Sequence, residues 1–269
     1  METLIERIER AQAITTTDDT RVEREWHENG RLKCIKTYKG GLKDGIWRGW
    51  NKDGKLSFSY NFKDGKEEGI QEEWYKNGKL AYRAEFKDGK REGLTVCWHE
   101  NGQLENRCNY KDGKFDGTLE VWYESGQLWT RGNYKEGKGE GPFQRWWENG
   151  QLKARENYKD GKLDGPVERW YPNGQMKSRG SYKDGKADGT HEYWWENGQL
   201  MSRGDWKDEK AEGLFERWDK SGKLISRTIY KNGKEEKPTP KNTNNPTTVV
   251  QETKKKITLK PKKTNRIKI

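Results

Sequence analysis

The sequence predicts an all-β protein: an elongated, single-sheet array of antiparallel β-hairpins. Three observations predict it. Tryptophan recurs every 24 residues, a turn dipeptide follows each of these tryptophans by three residues, and a second turn completes each repeat. The period counts nine repeats and gives nine structural tryptophans: Trp26, Trp50, Trp74, Trp98, Trp122, Trp146, Trp170, Trp194 and Trp218.

Each repeat contains two hairpin signals. The first is most often Asn-Gly, as at Asn77-Gly78, and the second resembles Lys63-Asp64-Gly65-Lys66. Asn, Asp and Gly tolerate positive φ, so these dipeptides between short apolar-containing runs favour hairpins. The runs between turns are about six to eight residues, which is strand length. Two turns therefore give two strands per repeat, and the chain becomes a meander.

The face that each strand buries depends on the first turn. A three-residue loop with a bulge at Gly78 places Trp74 opposite Leu80, whereas a two-residue turn pairs Tyr75 with Leu80. We favour the bulged form because it collects the regularly spaced apolar residues on one face. In the repeat of Trp74 that face would carry Ile70, Glu72, Trp74, Leu80, Tyr82, Ala84 and Phe86.

Composition limits how thick the core can be. The chain is 29% hydrophobic and 37% charged, which by itself is typical of disorder, but 12% is aromatic. One Trp, one Leu and one Tyr per repeat can hold a thin sheet, because an aromatic side chain buries roughly 150–250 Å². We therefore expect three segments: 1–20, a capping helix and linker; 21–236, the array; and 237–269, a basic tail.

The N-terminal segment reads as a short amphipathic helix over residues 1–14. Leu4, Ile5 and Ile8 cluster at helical spacing, so the helix is expected to cap the first sheet edge or, alternatively, to dock on a partner. Thr15–Thr20 is interpreted as a linker.

The C-terminal segment 237–269 breaks the period and is predicted to be disordered. It holds ten Lys/Arg and one acidic residue, so most of the formal net charge of +11 lies here. The segment is either a solvated end or a site for anionic lipid or nucleic acid, and the alternating stretch Lys256–Lys260 could also pair with a partner's strand. The candidate polyanion residues are Lys254, Lys255, Lys256, Lys260, Lys262 and Lys263.

No catalytic or metal-binding constellation is found in the sequence. His27 and His99 occupy the position after the tryptophan that elsewhere holds Tyr or Trp, and we interpret them as drift within an aromatic position. There is no phosphate loop and no zinc motif, and the Asp-Gly turns lack the spaced carboxylates of a Ca²⁺ loop. We expect no enzyme activity, no cofactor, no metal and no small-molecule substrate.

The compartment is also inferred from the sequence. Three cysteines, an odd number outside the period, argue against a disulfide framework and favour a reducing compartment. No N-terminal signal and no long apolar segment is visible, so we expect a cytoplasmic protein.

One repeated position is not required by the hairpin pattern, and it holds arginine in seven consecutive repeats. Each arginine either pairs with a cross-strand glutamate or stacks on a tryptophan, or the row binds an acidic surface. This candidate binding stripe is Arg83, Arg107, Arg131, Arg155, Arg179, Arg203 and Arg227.

The repeat unit G-x4-W-Y-x-N-G-x-L-x2-R-x2-Y-K-D-G-K resembles the MORN repeat variant of bacterial and large-virus proteins, including YwqK-type antitoxin-like arrays. Residues 69–91 and 165–186 carry the pattern most closely, and the resemblance covers about 210 residues. The resemblance implies a scaffold for protein assembly near membranes or for neutralising a partner toxin.

Three functional hypotheses follow from the residues and the resemblance together. The first is a non-enzymatic scaffold that binds an unidentified protein partner, for which a toxin is one candidate. The second is peripheral binding of anionic lipid or another polyanion through the arginine stripe and the tail, and the third is nucleic-acid association through the tail alone. Lipid or phosphate binding should weaken steeply with salt, whereas protein binding should depend on residues that do not repeat.

Overall fold

The computed structural model describes residues 15–17 and 19–236, with the side chains of residues 19–236. The chain divides after Glu236, and the unit Met1–Glu236 contains all of the described strands. The predicted helix over residues 1–14 and the predicted disorder of residues 237–269 both lie outside the described residues.

The described residues form one antiparallel sheet of 25 strands. The strands are β1 Thr15–Thr17, β2 Thr20–Trp26, β3 Leu32–Lys39, β4 Leu42–Lys43, β5 Gly45–Trp50, β6 Leu56–Lys63, β7 Lys66–Glu67, β8 Gly69–Trp74, β9 Leu80–Lys87, β10 Lys90–Arg91, β11 Gly93–Trp98, β12 Leu104–Lys111, β13 Lys114–Trp122, β14 Leu128–Lys135, β15 Lys138–Trp146, β16 Leu152–Lys159, β17 Lys162–Leu163, β18 Gly165–Trp170, β19 Met176–Lys183, β20 Lys186–Ala187, β21 Gly189–Trp194, β22 Leu200–Lys207, β23 Lys210–Trp218, β24 Leu224–Lys231 and β25 Lys234–Glu235.

Each long strand pairs with the strands that come before and after it in the chain, so the predicted meander is confirmed. Every regular element in residues 15–17 and 19–236 is a strand. Accordingly, this part of the chain offers no helix of the length and apolarity that crossing a membrane requires.

The interpretation of Thr15–Thr20 as a linker is wrong. Thr15–Thr17 is strand β1, which pairs antiparallel with the start of β2, Thr17 opposite Thr20. β-Branched threonines favour extended backbone, and Asp19 adopts a positive φ of 62° in the connecting turn. As a result, a short strand covers the edge of β2 that we expected a helix to cap.

The first turn of each repeat has the bulged form that the sequence favoured. In the repeat of Trp74, the amide of Tyr75 donates to the carbonyl of Lys79, Gly78 has a φ of 90°, and Trp74 lies opposite Leu80. The second turn also follows its prediction, since Asp64 and Gly65 both adopt positive φ between the paired residues Lys63 and Lys66.

The predicted grouping of apolar residues on one face is wrong, because the ladder contains a second irregularity. Trp74 pairs with Leu80, but Glu73 pairs with Tyr82, so Ala81 is an extra residue in β9. Side chains beyond this bulge exchange faces. Trp74 therefore shares its face with Glu72 and Arg83, while Tyr82, Ala84 and Phe86 point to the other side.

We call these two surfaces the arginine face and the aromatic face. The arginine face carries the seven repeated arginines. The aromatic face carries two runs of contacting rings and a shorter one near the N-terminus: Tyr38, Trp47 and Phe62; Tyr110, Phe115, Tyr134, Phe143 and Tyr158; and Tyr182, His191, Trp206, Phe215 and Tyr230.

The core lies on the aromatic face. Its buried residues include Gln71, Ala84, Thr95, Cys108, Phe143, Val167 and His191. Large residues there lie against glycines: a Cβ on Gly132 would meet the Phe143 ring at 2.2 Å, and one on Gly180 would meet His191 at 2.4 Å. Such large-to-small matching fills the thin layer without a second sheet.

The turns of successive repeats are joined by hydrogen bonds. The side-chain amide of Asn77 donates to the carbonyl of Glu100 (3.0 Å), while its oxygen accepts from the amide of Lys79 (2.9 Å). At the opposite ends of the strands, the amide of Asp88 donates to the carboxylate of Glu68 (2.9 Å). Because each bond links neighbouring units, the repeated polar residues stabilise the stacking of repeats.

Candidate functional site

The arginine face was predicted to hold a row of seven cations, and the structure places all seven arginines there in ion pairs. Each guanidinium contacts a cross-strand glutamate, as in Arg83–Glu72 (3.4 Å), Arg155–Glu168 (3.0 Å) and Arg203–Glu216 (2.8 Å). The remaining pairs are Arg107–Glu120, Arg131–Glu120, Arg179–Glu192 and Arg227–Glu216. The charge-compensated alternative is therefore the observed one.

A simple order governs which glutamate each arginine takes. An arginine pairs with the glutamate 13 residues ahead of it where one exists, as Arg179 does with Glu192. Where that position holds another residue, the arginine pairs with the glutamate 11 residues before it in the sequence. Gln144 occupies the position 13 residues after Arg131, and Arg131 pairs with Glu120 (2.7 Å). Val96 occupies the corresponding position after Arg83, and Arg83 pairs with Glu72.

Two glutamates consequently serve two arginines each. Glu120 is 3% exposed and accepts from Arg107 and Arg131, and Glu216 is 4% exposed and accepts from Arg203 and Arg227. Burial acts to raise the pKa of Glu120, but the hydrogen bonds from both arginines outweigh it, so that pKa is lowered. The bond from Arg203 likewise lowers the pKa of Glu216. Both carboxylates are ionised at neutral pH.

The repeated tryptophans also line the arginine face. The guanidinium of Arg107 lies 5.5 Å from the ring centroid of Trp122, and Arg155 and Arg179 lie similarly over Trp170 and Trp194. All nine tryptophans are half-buried. They support the arginine side chains and are not the most buried part of the sheet.

Beside the arginines runs a row of one residue per repeat, and sequence reasoning missed that four repeats place an exposed aliphatic residue there. The four repeats between Leu94 and Leu214 hold Thr118, Pro142, Pro166 and Thr190. Ile46, Ile70, Leu94 and Leu214 are 45%, 39%, 50% and 45% exposed, and each precedes its glutamate-position residue by two. Alternation places them on the arginine face. The signal was present in the sequence, but the predicted face assignment would have buried these residues.

Two grooves on the arginine face combine the charged and aliphatic rows. One, of about 630 Å³, is lined by Leu94, Arg107, Glu120, Arg131 and Pro142 among others. The second has a similar volume of about 630 Å³, and its lining includes Pro166, Arg179, Glu192, Arg203 and Leu214. Apolar contact area flanked by fixed charges is typical of a surface that recognises another macromolecule.

The aromatic face carries a charged cluster around Glu156 that does not repeat with the period. Glu156 is 4% exposed and pairs with Arg145 (2.7 Å) and Arg169 (3.1 Å), while the hydroxyl of Tyr158 donates to it (3.1 Å). Other repeats place different residues at this position, among them Ala84, Gly132 and Lys36, and Lys36 pairs with Glu25 (2.8 Å). The carboxylate is fully partnered and therefore serves packing.

In seven of the nine repeats the residue that follows the tryptophan forms a side-chain hydrogen bond with the next repeat, so the interpretation of His27 and His99 as aromatic drift is incomplete. The ring nitrogen of His27 lies 2.8 Å from the carbonyl oxygen of Trp50, and the hydroxyl of Tyr75 donates to that of Trp98 (2.6 Å). The same bond to the next repeat is made by His99, Tyr123, Trp147, Tyr171 and Trp195. What these side chains share is a hydrogen-bond donor at a distance from the backbone that lets it reach the tryptophan carbonyl of the next repeat.

The remaining chemistry-bearing groups are buried. His191 bonds to the carbonyl of Ser181 (2.9 Å), and burial lowers its pKa. Burial raises the pKa of the Cys97 and Cys108 thiols, which disfavours the reactive thiolate. Across residues 19–236 no cluster of His, Cys, Asp or Glu has metal-site geometry. The tail candidates Lys254–Lys256, Lys260, Lys262 and Lys263 lie outside the described residues.

Comparison with known proteins identifies the repeat. The family model described as MORN repeat variant matches eight segments: residues 43–64, 67–88, 91–112, 115–136, 139–160, 163–184, 187–208 and 211–232. The hairpin of Trp26, the first of the nine counted from the sequence, precedes the first match, although β2 and β3 pair as in later repeats. The model identifies the MORN repeat variant and does not test the YwqK-type resemblance.

Other comparisons add little. No curated protein matches the chain. Among similar solved structures is "Crystal Structure of TcdB2-TccC3-Cdc42", with 10% identity, a TM-score of 0.20 and coverage of 78% of this chain. This chain spans 13% of that one. A TM-score this low carries no inference about fold or function.

Proposed function

This chain belongs to the MORN repeat variant family, whose repeats generally serve interaction with proteins or membranes, and we propose that it is a non-enzymatic scaffold that binds a protein partner on its arginine face. The observation that carries the proposal is the row of exposed aliphatic side chains beside the paired arginines. Ile46, Ile70, Leu94 and Leu214 leave 39–50% of their surface exposed, which is apolar area that a bound partner would bury.

The charges on this face support a protein over a simple polyanion. Each arginine in the row already has a carboxylate within contact distance, so the row offers a phosphate charge-compensated pairs and not a ladder of uncompensated cations. A protein partner can instead bury the aliphatic row while its polar groups use the exposed halves of the ion pairs. Neutralisation of a toxin is one form that such binding would take.

The test changes one aliphatic residue in each groove. Leu94→Asp and Leu214→Asp should remove capture of a discrete protein from a lysate of the source cells, because a buried aspartate has no partner. Leu42→Asp is the matched control, since Leu42 is 53% exposed and lines neither groove. Loss of capture in the Leu94 and Leu214 variants alone supports the proposal. Capture that persists in all three variants, or is lost equally in all three, contradicts it.

The alternative is peripheral binding of anionic lipid or nucleic acid, and the sequence observation behind it is the excess of basic residues in 237–269. Vesicles containing phosphatidylserine and a nonspecific DNA duplex distinguish it from protein binding. Binding that falls steeply with added salt, and that is lost when Lys254, Lys255, Lys256, Lys260, Lys262 and Lys263 become Gln, favours the polyanion function.

A further inference from the structure

Among the described residues, the last long strand, β24, has one side that is largely unpaired. In each earlier repeat that side of the long strand pairs with the next repeat, as Arg203 of β22 pairs with Glu216 of β23. On β24 only Tyr230 and Lys231 pair outward, with β25. Within residues 15–17 and 19–236, no strand lies on the outer side of residues 224–228.

The backbone of this edge is oriented for pairing. The amide of Glu236 donates to the carbonyl of Ile229 (2.8 Å), so the polar groups of Ile229 face the open side. Strand alternation gives Arg227 the same direction, because no irregularity separates the two residues in the ladder with β23. The N–H and C=O of Arg227 thus point outward in the same way as those of Arg203, which pair with the following strand.

The side chains of β24 are also more exposed than those of earlier strands. Ile225 is 65% exposed, Ile229 52% and Leu224 39%, which concentrates three exposed large aliphatic residues in one strand. An edge with exposed aliphatic side chains favours addition of another strand.

The order of arginine pairing indicates which charge the added strand should carry. Arg227 pairs back with Glu216 because no glutamate stands ahead of it. The period would place that glutamate at position 240, where the sequence has proline. Four earlier arginines meet such a glutamate on the following strand: Arg107, Arg155, Arg179 and Arg203.

We propose that the open edge of β24 binds an extended peptide segment of a partner protein, with an acidic residue opposite Arg227 and apolar residues beside Ile225 and Ile229. A second copy of this chain fits less well. Its β2 carries Arg24 at the glutamate position and is already covered by β1. Two β24 strands centred on Arg227 would oppose like charges. This edge is separate from the arginine-face grooves, so its failure leaves the scaffold proposal standing.

The test measures binding of short fluorescent peptides to the full chain. A peptide of alternating valine and threonine with one central glutamate should bind about fivefold more tightly than its central-lysine counterpart, as a cross-strand charge pair allows. Arg227→Glu should reverse that preference. Arg155→Glu is the matched control, because the strand beyond Arg155 is already present and Arg155 lines neither groove, and it should keep the wild-type preference.

Two further measurements distinguish strand addition by a partner peptide from other modes of binding and from pairing with a second copy of this chain. Methylating alternate backbone nitrogens of the glutamate peptide should abolish binding, since strand addition needs its N–H groups. Absence of binding by the unmethylated peptide, or equal binding by the methylated one, overturns the proposal. So does a doubled mass in sedimentation that Arg227→Glu removes, which would assign the edge to a second copy.

Discussion

Phe143 and Gln144 are neighbours in one strand, and their side chains point to opposite faces of the sheet. Phe143 is 7% exposed and contacts the rings of Tyr134 and Tyr158, whereas Gln144 lies half-buried at the rim of a groove. The aromatic face is stabilised by close packing of rings against small residues. The arginine face is stabilised by ion pairs, and its side chains remain accessible to solvent. A single sheet can therefore keep one face for stability and the other for binding.

The largest expected loss of stability comes from a substitution on the aromatic face. Phe143→Ala should lower the free energy of unfolding by about 3–5 kcal/mol, because a buried ring is lost and the facing Gly132 cannot fill the space. Gln144→Ala, one residue away, should change it by less than about 0.5 kcal/mol. Urea denaturation followed by tryptophan fluorescence measures both. Similar losses in the two variants would show that the faces are energetically equivalent.

Removing a tryptophan from the arginine face should lower the free energy of unfolding by less than removing the Phe143 ring. Trp122 is half-buried and lies under Arg107, so Trp122→Ala should destabilise by roughly 1–3 kcal/mol, about half of the value for a fully buried aromatic. Hydrogen exchange should show the loss concentrated in the repeats next to Trp122. A cost equal to that of Phe143→Ala would place the main core on the arginine face.

The pH dependence of stability should come partly from the packed face. Burial lowers the folded-state pKa of His191 below the usual histidine value of about 6.5, so the unfolded state binds the proton more readily. The stability that neutral His191 contributes is present above about pH 6.5 and is lost as the pH falls through the folded-state pKa.

His191→Phe tests this point, because Phe143 and Phe215 occupy the same position in other repeats. The variant should lose less thermal stability than wild type between about pH 7.5 and about pH 5. The melting temperature across that range is the measurement. Parallel curves for the two proteins would mean that another group sets the acid sensitivity.

The smallest effect is expected for a single arginine of the open face. Arg131→Gln should cost less than about 1 kcal/mol, because its side chain is 56% exposed and Glu120 keeps Arg107. Replacing both Arg107 and Arg131 by Gln should cost more than the sum of the single changes, since a buried carboxylate then has no cation. Additive costs in a double-mutant cycle would show that Glu120 does not depend on them.

Much of the architecture could be predicted from the sequence. The repeat, the two turns, the bulge after Trp74 and the antiparallel meander follow from local turn chemistry, which Asn77-Gly78 and Asp64-Gly65 carry in themselves. The strand Thr15–Thr17 could not be recognised in the same way, because three threonines become a strand only when β2 offers its edge.

The candidate site was predicted in composition but not in arrangement. The arginine row and its two alternatives were visible from the period, yet the pairing order requires knowing which residues lie ahead of and behind each arginine. Gln144 and Val96 decide the pairing of Arg131 and Arg83, and both look unremarkable in a linear sequence. The sequence prediction placed the aliphatic row on the packed face, because it did not include the bulge at Ala81 that exchanges the faces.

The sequence by itself determined that this chain is a sheet of joined hairpins, because positive-φ turn residues act within four or five positions. The tertiary structure alone decided which side of that sheet is core and which is open. One extra residue, Ala81 and its equivalents, shifts the register between Glu73 and Trp74. Side chains alternate with a period of two, so a slip of one residue sends Tyr82, Ala84 and Phe86 to one face and leaves Arg83 with Trp74 on the other.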